Sequence, residues 1–290
     1  MKLLVKFNLV FLLVFLVGLT ASTLIARGLL RQAAKEEVVD RARLLMTGAN
    51  GVSTYTAAQI KPLLETQMKY TFLPQSVPAY SAAEVLGHLQ KSYPDYAFKS
   101  AMLNPTNPRD RAVAWEEDIV RTFKQQGDMK EFIGERETPT GTALYIARPI
   151  VIKNPGCLAC HSTPEAAPKT LVDKYGPANG FGWTLEEPLG AQVVSVPLTL
   201  PLQQADHQLM VVVGVLAGVF LLIGAALNLM LYRLVIRPVR MLAGIADRVS
   251  LGEFDAPEFA VRSKDEIGVL SDSFNRMRTS LAHAMKMLEG

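Results

Sequence analysis

Five consecutive residues, Cys157-Leu158-Ala159-Cys160-His161, carry the clearest chemistry in this sequence. They form a C-x-x-C-H pattern, which is the signature of covalent c-type haem attachment. The two thiols sit one helical turn apart, so both can bond to the vinyl groups on one edge of a porphyrin, and the adjacent imidazole then lies under the iron as its proximal ligand. The chain has only two cysteines and four histidines, so chance seldom produces this placement. The sequence therefore predicts one covalently bound haem c per chain.

Three other interpretations of the same residues compete with haem. They are a chance pair of buried thiols, half of a zinc site, and a thioredoxin-like dithiol. A half zinc site lacks its second pair of ligands in this sequence. The histidine that follows directly favours haem, and so does the location of the motif, which the membrane topology predicts below.

Composition sets broad limits on what the chain can be. Its 290 residues are enough for one to two soluble domains, and 49% of them are apolar, with two long apolar runs accounting for the excess. The net charge of +3 is too near neutral to indicate nucleic acid or an acidic substrate as a partner.

The two apolar runs predict two membrane spans. Residues 9–26 carry no charge, and residues 209–231 contain one asparagine, so each run is about long enough to cross a bilayer. We place the transmembrane helices at 9–30 and 207–232. A cleaved signal peptide competes for the first run, because Ala21-Ser22-Thr23 resembles a cleavage region. An uncleaved anchor is favoured, because the run is long and a helical pattern continues beyond it.

The charges around the second span predict the orientation. Arg233, Arg237 and Arg240 follow it, whereas no lysine or arginine lies between Lys174 and the span. Positive charge stays in the cytoplasm. Lys2 and Lys6 agree with this orientation, and Arg27, Arg31 and Lys35 partly disagree. The prediction is a two-pass inner-membrane protein with residues 1–8 and 233–290 in the cytoplasm and 31–206 in the periplasm, where haem is attached to such motifs.

The predicted periplasmic region begins with a helix and continues with strands. Residues 33–65 look helical and repeat apolar residues at steps of four and three. These residues form a seam, which comprises Val38, Ala42, Leu45, Ala49 and Val52. The seam could pack against the same helix of a second copy or against the domain's own core. Strand patterns appear at 132–136, 143–151 and 190–197, with helices predicted at 82–92 and 111–126. This order indicates an α+β domain.

The predicted cytoplasmic region consists of two short amphipathic helices joined by a loop. Pro238 opens the first, and the loop contains Gly252, Phe254, Pro257 and Val261. The second helix starts after Asp265, with a seam at three-four spacing formed by Ile267, Leu270, Phe274, Met277, Leu281, Ala284 and Leu288. Two such helices cannot bury their seams alone, so two copies of the chain would form a parallel four-helix bundle. A single surface helix or an interfacial membrane helix is the alternative.

With these residues in view, the chain resembles the single-haem c-type periplasmic sensor family joined to a HAMP domain. The matching segments are Asn104–Pro108, Arg148-Pro149, Cys157–His161, Asn179–Trp183 and Gly190–Pro197, together with Pro238, Gly252 and Asp265–Gly268 of the tail. The resemblance implies a PAS-like fold for the haem domain and an all-α HAMP coiled coil in a homodimer. Relatives usually continue into a kinase, cyclase or chemotaxis domain, whereas the sequence given ends at Gly290. We therefore expect a separate cytoplasmic signalling protein, or a redox partner, to receive the output.

The second axial position of the iron has two candidate ligands in the predicted periplasmic region. Met46 lies on the first helix, from which the resemblance also suggests a distal ligand, and His88 is the runner-up; an open or water-filled site is the third alternative. Met46 could equally be a core residue. Arg109, Arg111 and Arg148 are candidates for the haem propionates, because a guanidinium matches a carboxylate fork.

Three functions are compatible with these features. The first is a homodimeric membrane receptor that senses redox state or a small gas and transmits it through HAMP. The second is a membrane-anchored single-haem electron-transfer cytochrome. An enzyme such as a peroxidase is the third, and we do not expect it because no acid–base pair accompanies the motif; Glu165 is merely close in sequence.

Overall fold

Residues 3–253, 258–259 and 265–288 are described by the computed structural model, in which the chain divides into two units. The sheet unit is Arg27–Gln208, and the membrane unit consists of Met1–Ala26 and Leu209–Gly290. Phe254, Pro257 and Val261 of the predicted loop lie outside the described residues, and so does the side chain of Leu288.

Four strands form one antiparallel sheet in the order β1-β4-β3-β2, with the bounds β1 Ala97–Met102, β2 Phe132–Thr138, β3 Gly141–Val151 and β4 Pro188–Pro197. The central pair has Ile146 opposite Val194 and Arg148 opposite Gln192. The predicted strands are confirmed, and β1 is an additional edge strand that the sequence pattern does not indicate. The mixed helix-and-sheet domain is therefore confirmed.

The helices of the sheet unit lie mainly before and between these strands. Their bounds are α1 Leu3–Tyr55, which also belongs to the membrane unit, α2 Lys61–Met68, α3 Pro78–Ser92, α4 Ala114–Gln125, α5 Leu158–His161 and α6 Lys169–Tyr175. A π-helical turn, Thr56–Ile60, joins α1 to α2 and precedes Pro62. Because proline lacks an N–H and crowds the preceding turn, it accounts for this local change of winding.

The sheet buries a different helix on each face. On one face α1 packs in the α1-face cluster, which comprises Val38, Ala42, Met46, Leu144, Ile146, Val194, Val196 and Leu198. On the other face α4 packs in the α4-face cluster, which comprises Ala101, Ala112, Ile119, Val120, Phe123, Ala147, Ala191 and Val193. Neighbouring residues such as Ile146 and Ala147 belong to opposite clusters, as expected from strand alternation.

The helical seam predicted for α1 faces the domain's own core. Val38, Ala42 and Ala49 are fully buried, and Leu45 packs against the α1-face cluster. Exposed positions lie on the other side of the helix, where Glu37 and Arg41 form an i,i+4 ion pair with a 2.5 Å separation. Of the two partners left open by the sequence, the structure favours the sheet.

The membrane unit contains α7 Thr199–Leu231, which begins in the sheet unit, and the tail helices α8 Arg237–Ser250 and α9 Glu266–Leu288. A second π-helical turn, Tyr232–Ile236, precedes Pro238. Among the residues that the structure describes, two helices are long and apolar enough to cross a membrane, and their most apolar windows are 0% buried within the protein. Such exposed apolar surface is expected of segments that face lipid.

Polar and aromatic contacts join the two apolar helices. The side-chain amides of Asn8 and Asn228 bond to each other in both directions, at 2.8 and 2.7 Å. Phe15 and Phe220 have ring centroids 4.4 Å apart. Each amide therefore has a hydrogen-bond partner although its neighbours are apolar. Polar side chains between membrane helices are commonly bonded to each other in this way.

The tail helices bury part of the predicted seam within one chain. Leu242, Val249, Phe259 and Phe274 form a buried cluster. Asp265 caps α9, because its Oδ1 accepts the backbone N–H groups of Ile267 and Gly268 at 3.0 and 3.1 Å. Gly252 has φ +90°, a conformation that favours glycine. Leu270, Met277 and Leu281 of the seam remain exposed.

Candidate functional site

The C-x-x-C-H residues lie on a short helical segment that follows β3. A 3₁₀ turn, Pro155–Cys157, leads into α5, and the Asn154 side chain accepts the Gly156 N–H at 2.8 Å to cap it. Cys157 and Cys160 are free thiols, and both are half-buried. The helical placement that the motif predicts is therefore present, with both thiols accessible for bonding.

The imidazole of His161 is held along one edge. Its Nδ1 lies 2.7 Å from the carbonyl oxygen of Gly180 and 3.4 Å from the hydroxyl of Thr106. Because a carbonyl can only accept, Nδ1 carries the proton, and the lone pair of Nε2 is left for a metal. Burial lowers the pKa of His161, partly offset by the bond to Gly180, so the ring is neutral near pH 7.

The face of the same imidazole packs on Trp183. The two ring centroids are 3.7 Å apart and the planes are 11° from parallel. The backbone of this loop also pairs with the end of α5, because Gly182 donates to the Ser162 carbonyl at 2.8 Å and Trp183 donates to the His161 carbonyl at 3.2 Å. The loop 179–183 therefore fixes both the position and the plane of the ring.

Glycine is required where this loop approaches the histidine. Gly180 has φ +85°, and a Cβ at this position would overlap Thr106. Asn104 anchors the loop from the other side, since its Oδ1 accepts the Gly180 N–H at 3.1 Å and its Nδ2 donates to the Phe181 carbonyl at 3.0 Å. The segment 104–108 and the loop 179–183 thus form the walls around His161.

The geometry fits haem attachment better than the rival interpretations. Within the described ranges, no group of three or more His, Cys, Asp or Glu side chains is placed to hold a metal ion. Burial raises the pKa of Cys160, opposed by the charge of Lys61, whereas a reactive dithiol needs a lowered one. Haem c needs a neutral imidazole that can ligate the iron through Nε2, and cysteine thiols beside it that can bond to the porphyrin. His161 and the accessible thiol of Cys160 directly before it fit these two roles.

The three candidate propionate arginines occupy different surroundings. Arg111 is at the site, because its guanidinium donates to the Asn179 side chain at 2.8 Å. Arg109 pairs with Glu84 and lies over the Tyr80 ring, 4.8 Å from its centroid. Arg148 forms two bonds to one oxygen of Glu131, at 3.0 and 2.8 Å. Their role as propionate partners stays a prediction.

The two candidate distal ligands occupy different surroundings. Met46 is fully buried in the α1-face cluster, and His88 is exposed on α3. Neither is among the described contacts of His161, which come from Thr106, Gly180 and Trp183. Distal ligation by either residue stays a prediction.

Sequence reasoning identified the motif but not the residues that contact its histidine. In the sequence, the segments 104–108 and 179–183 are visible only as matches to the family pattern. The signals that could have identified the contacts are the two glycines around Phe181, which permit a close approach, and Asn104, because asparagine readily bonds to backbone groups.

Comparison with known families agrees with this layout. The model of the Tll0287-like family matches residues 31–197, more than half of the chain, and the chain belongs to this family. The HAMP domain model matches residues 230–283, and the chain carries a HAMP domain, which implies signal transduction to a downstream partner.

Among solved structures, the cyanobacterial heme-protein Tll0287 aligns with a TM-score of 0.44 at 15% identity, covering 56% of this chain and 95% of that one. No curated protein matches the chain.

Proposed function

We propose that this chain is a membrane-bound c-type haem receptor, with one haem bonded to Cys157 and Cys160 and ligated by His161. The observation that carries the proposal is the neutral imidazole of His161, whose Nδ1 is committed to Gly180 at 2.7 Å while two free thiols precede it. Membership in a family named after Tll0287, which is described as a heme-protein, supports the same cofactor. Haem would supply an iron whose oxidation state or bound gas can change.

The signal would leave the haem domain along two continuous elements. The α1 helix runs from its buried face at Val38–Ala49 to the first apolar segment without a break. Strand β4 ends at Pro197 and leads into α7, which contains the second apolar segment and precedes the HAMP helices. HAMP is the bistable element that a shift of either helix would bias. We place the haem domain in the periplasm and HAMP in the cytoplasm, because arginines follow the second span.

The proposal includes a homodimer and a PAS-like haem domain. Exposed seam residues Leu270, Met277 and Leu281 on α9 support pairing with a second copy, because they have the spacing of a bundle interface. A four-stranded antiparallel sheet with helices on both faces supports the PAS-like fold. For the distal position of the iron the proposal keeps three alternatives, which are Met46 in the α1-face cluster, the exposed His88, and an open or water-filled site.

Cysteine cross-linking in HAMP tests the receptor function. Because both natural thiols would be bonded to haem, a cysteine introduced at Met277 is the sole free thiol of each chain. We expect the yield of Met277→Cys cross-links between two copies to differ between ferric and ferrous protein. Asp272→Cys, an exposed position on another side of α9, is the matched control. Equal yields in both oxidation states at Met277 would remove the receptor mechanism.

A membrane-anchored electron carrier is the second candidate, favoured by the half-exposed position of the motif. One haem can pass one electron to a docked partner without any movement of HAMP. Electron exchange with a co-purifying redox complex at catalytic rates, together with equal cross-linking yields, would establish this function instead.

A further inference from the structure

Asn104 connects to three successive parts of the loop that encloses His161. Its Oδ1 accepts the Gly180 N–H at 3.1 Å, its Nδ2 donates to the Phe181 carbonyl at 3.0 Å, and its own carbonyl accepts Nε1–H of Trp183 at 3.1 Å. An asparagine amide is suited to this role, because one side chain can accept from and donate to a backbone at the same time. No other described side chain is bonded to both Gly180 and Phe181.

Two of the residues that Asn104 holds, Gly180 and Trp183, also contact the imidazole of His161. The Gly180 carbonyl accepts Nδ1–H of His161 at 2.7 Å, and the Trp183 ring stacks on it at 3.7 Å between centroids. A positive φ at Gly180 and its close approach to Thr106 mean that the carbonyl reaches His161 only while the loop stays pressed against the segment 104–108. The side chain of Asn104 is therefore bonded to the same loop residues that present the Gly180 carbonyl to His161.

We infer that Asn104 is a positioning residue that tunes the iron, by holding the Gly180 carbonyl against Nδ1 of His161 and the Trp183 ring against its face. A strong acceptor at Nδ1 makes Nε2 a better donor to a metal. Better donation favours the ferric over the ferrous state and strengthens the bond between iron and His161. This inference rests on the proposed covalent haem.

The test compares two asparagines of one short segment in the full-length protein. Asn104→Ala removes both side-chain bonds to the loop, whereas Asn107→Ala removes only the bond from the Arg109 N–H, at 3.2 Å, and is the matched control. We expect Asn104→Ala to shift the ferric-to-ferrous ratio at a fixed ambient potential in favour of ferrous, because a weaker acceptor at Nδ1 makes Nε2 a poorer donor to the metal. The resonance Raman band of the ferrous iron–histidine bond should move to lower frequency. Asn107→Ala should leave both unchanged.

The outcomes separate this inference from the proposed function. If the wild-type chain carries no covalent haem by mass, the proposed function fails. If haem is present and Asn104→Ala matches Asn107→Ala in both the potential and the Raman band, the inference is overturned. If Asn104→Ala does not retain haem, Asn104→Ser decides, because its shorter side chain cannot make both the bond from the Gly180 N–H and the bond to the Phe181 carbonyl. A smaller shift in the same direction supports the inference, and an unchanged potential overturns it.

Discussion

The carboxylate of Glu131 joins two arginines from separate parts of the sheet unit. One oxygen accepts two bonds from Arg43 on α1, at 3.1 and 2.8 Å, and the other accepts two from Arg148 on β3. Burial by itself raises the pKa of Glu131, but the bonds from both guanidinium groups outweigh it, and the pKa lies below its usual value of 4.5. Glu131 therefore links the helix that leads to the membrane with the strand that leads to the C-x-x-C-H motif.

We expect Glu131→Gln to lower the thermal unfolding midpoint near neutral pH. Losing a charge-assisted carboxylate that is partly exposed costs about 1 kcal/mol, or about 2–4 °C for a domain of this size. Because the folded pKa is depressed, this stability is present above the unfolded pKa and is lost as the pH falls through the lower folded value. The difference between the variant and the wild type should therefore shrink below about pH 4.

The control for this change is Glu135→Gln, which removes an exposed partner of Lys35 and should have little effect. A midpoint difference at Glu131 that stays constant between pH 7 and pH 3 would contradict the assigned ion pairs.

The chemistry of single residues could be predicted from the sequence only where neighbours in the chain are also neighbours in space. Cys157, Cys160 and His161 meet this condition because one helical turn joins them. The contacts of His161 do not, because Thr106 and Gly180 come from distant segments. For the same reason the sequence could nominate Arg148 but not reveal that Glu131 already binds it.

At the scale of secondary structure, α1 is the element that the sheet unit is built around. Its buried residues Val38, Ala42 and Ala49 recur on one side, against strands β3 and β4. Leu44, on the opposite side, is 73% exposed. One side of a single helix is therefore committed to the core, while the other remains free of the sheet.

Ala42→Leu and Leu44→Ala test this assignment on opposite sides of the same helical turn. Enlarging the fully buried Ala42 should overpack the α1-face cluster and cost about 1–3 kcal/mol in the free energy of unfolding. Truncating the exposed Leu44 should change it by no more than about 0.5 kcal/mol. Thermal or denaturant unfolding of the two variants measures both effects. Equal costs, or a larger cost at Leu44, would mean that α1 turns its other side to the core.

Elements with strong local patterns could be predicted, and short ones could not. The helices α3 and α4 and the strands β2, β3 and β4 are confirmed because their apolar periodicity and prolines are local signals. β1 contains a lysine and a serine and is buried mainly by its pairing with β4. α6 has seven residues and one buried leucine, so tertiary packing rather than its own sequence determines it.

At the scale of the whole molecule, features that appear as local sequence patterns could be predicted, whereas contacts between distant segments could not. Two apolar runs and a three-four seam are visible in the sequence. The described part of the chain accordingly contains two membrane-length helices, and the chain carries a HAMP domain. The amide pair between Asn8 and Asn228 could not be predicted, because it depends on how the two apolar helices align. The walls around His161 likewise come from segments that only the fold brings together.

The central claim is that a porphyrin is bonded to this polypeptide through Cys157 and Cys160. Purify the intact chain, denature it in acid, and measure its mass and visible absorption together. We predict a mass equal to the polypeptide plus one haem, with the colour retained on the denatured chain. The double variant Cys157→Ala, Cys160→Ala should lose both. A colourless wild-type chain with the mass of the bare polypeptide would contradict the claim.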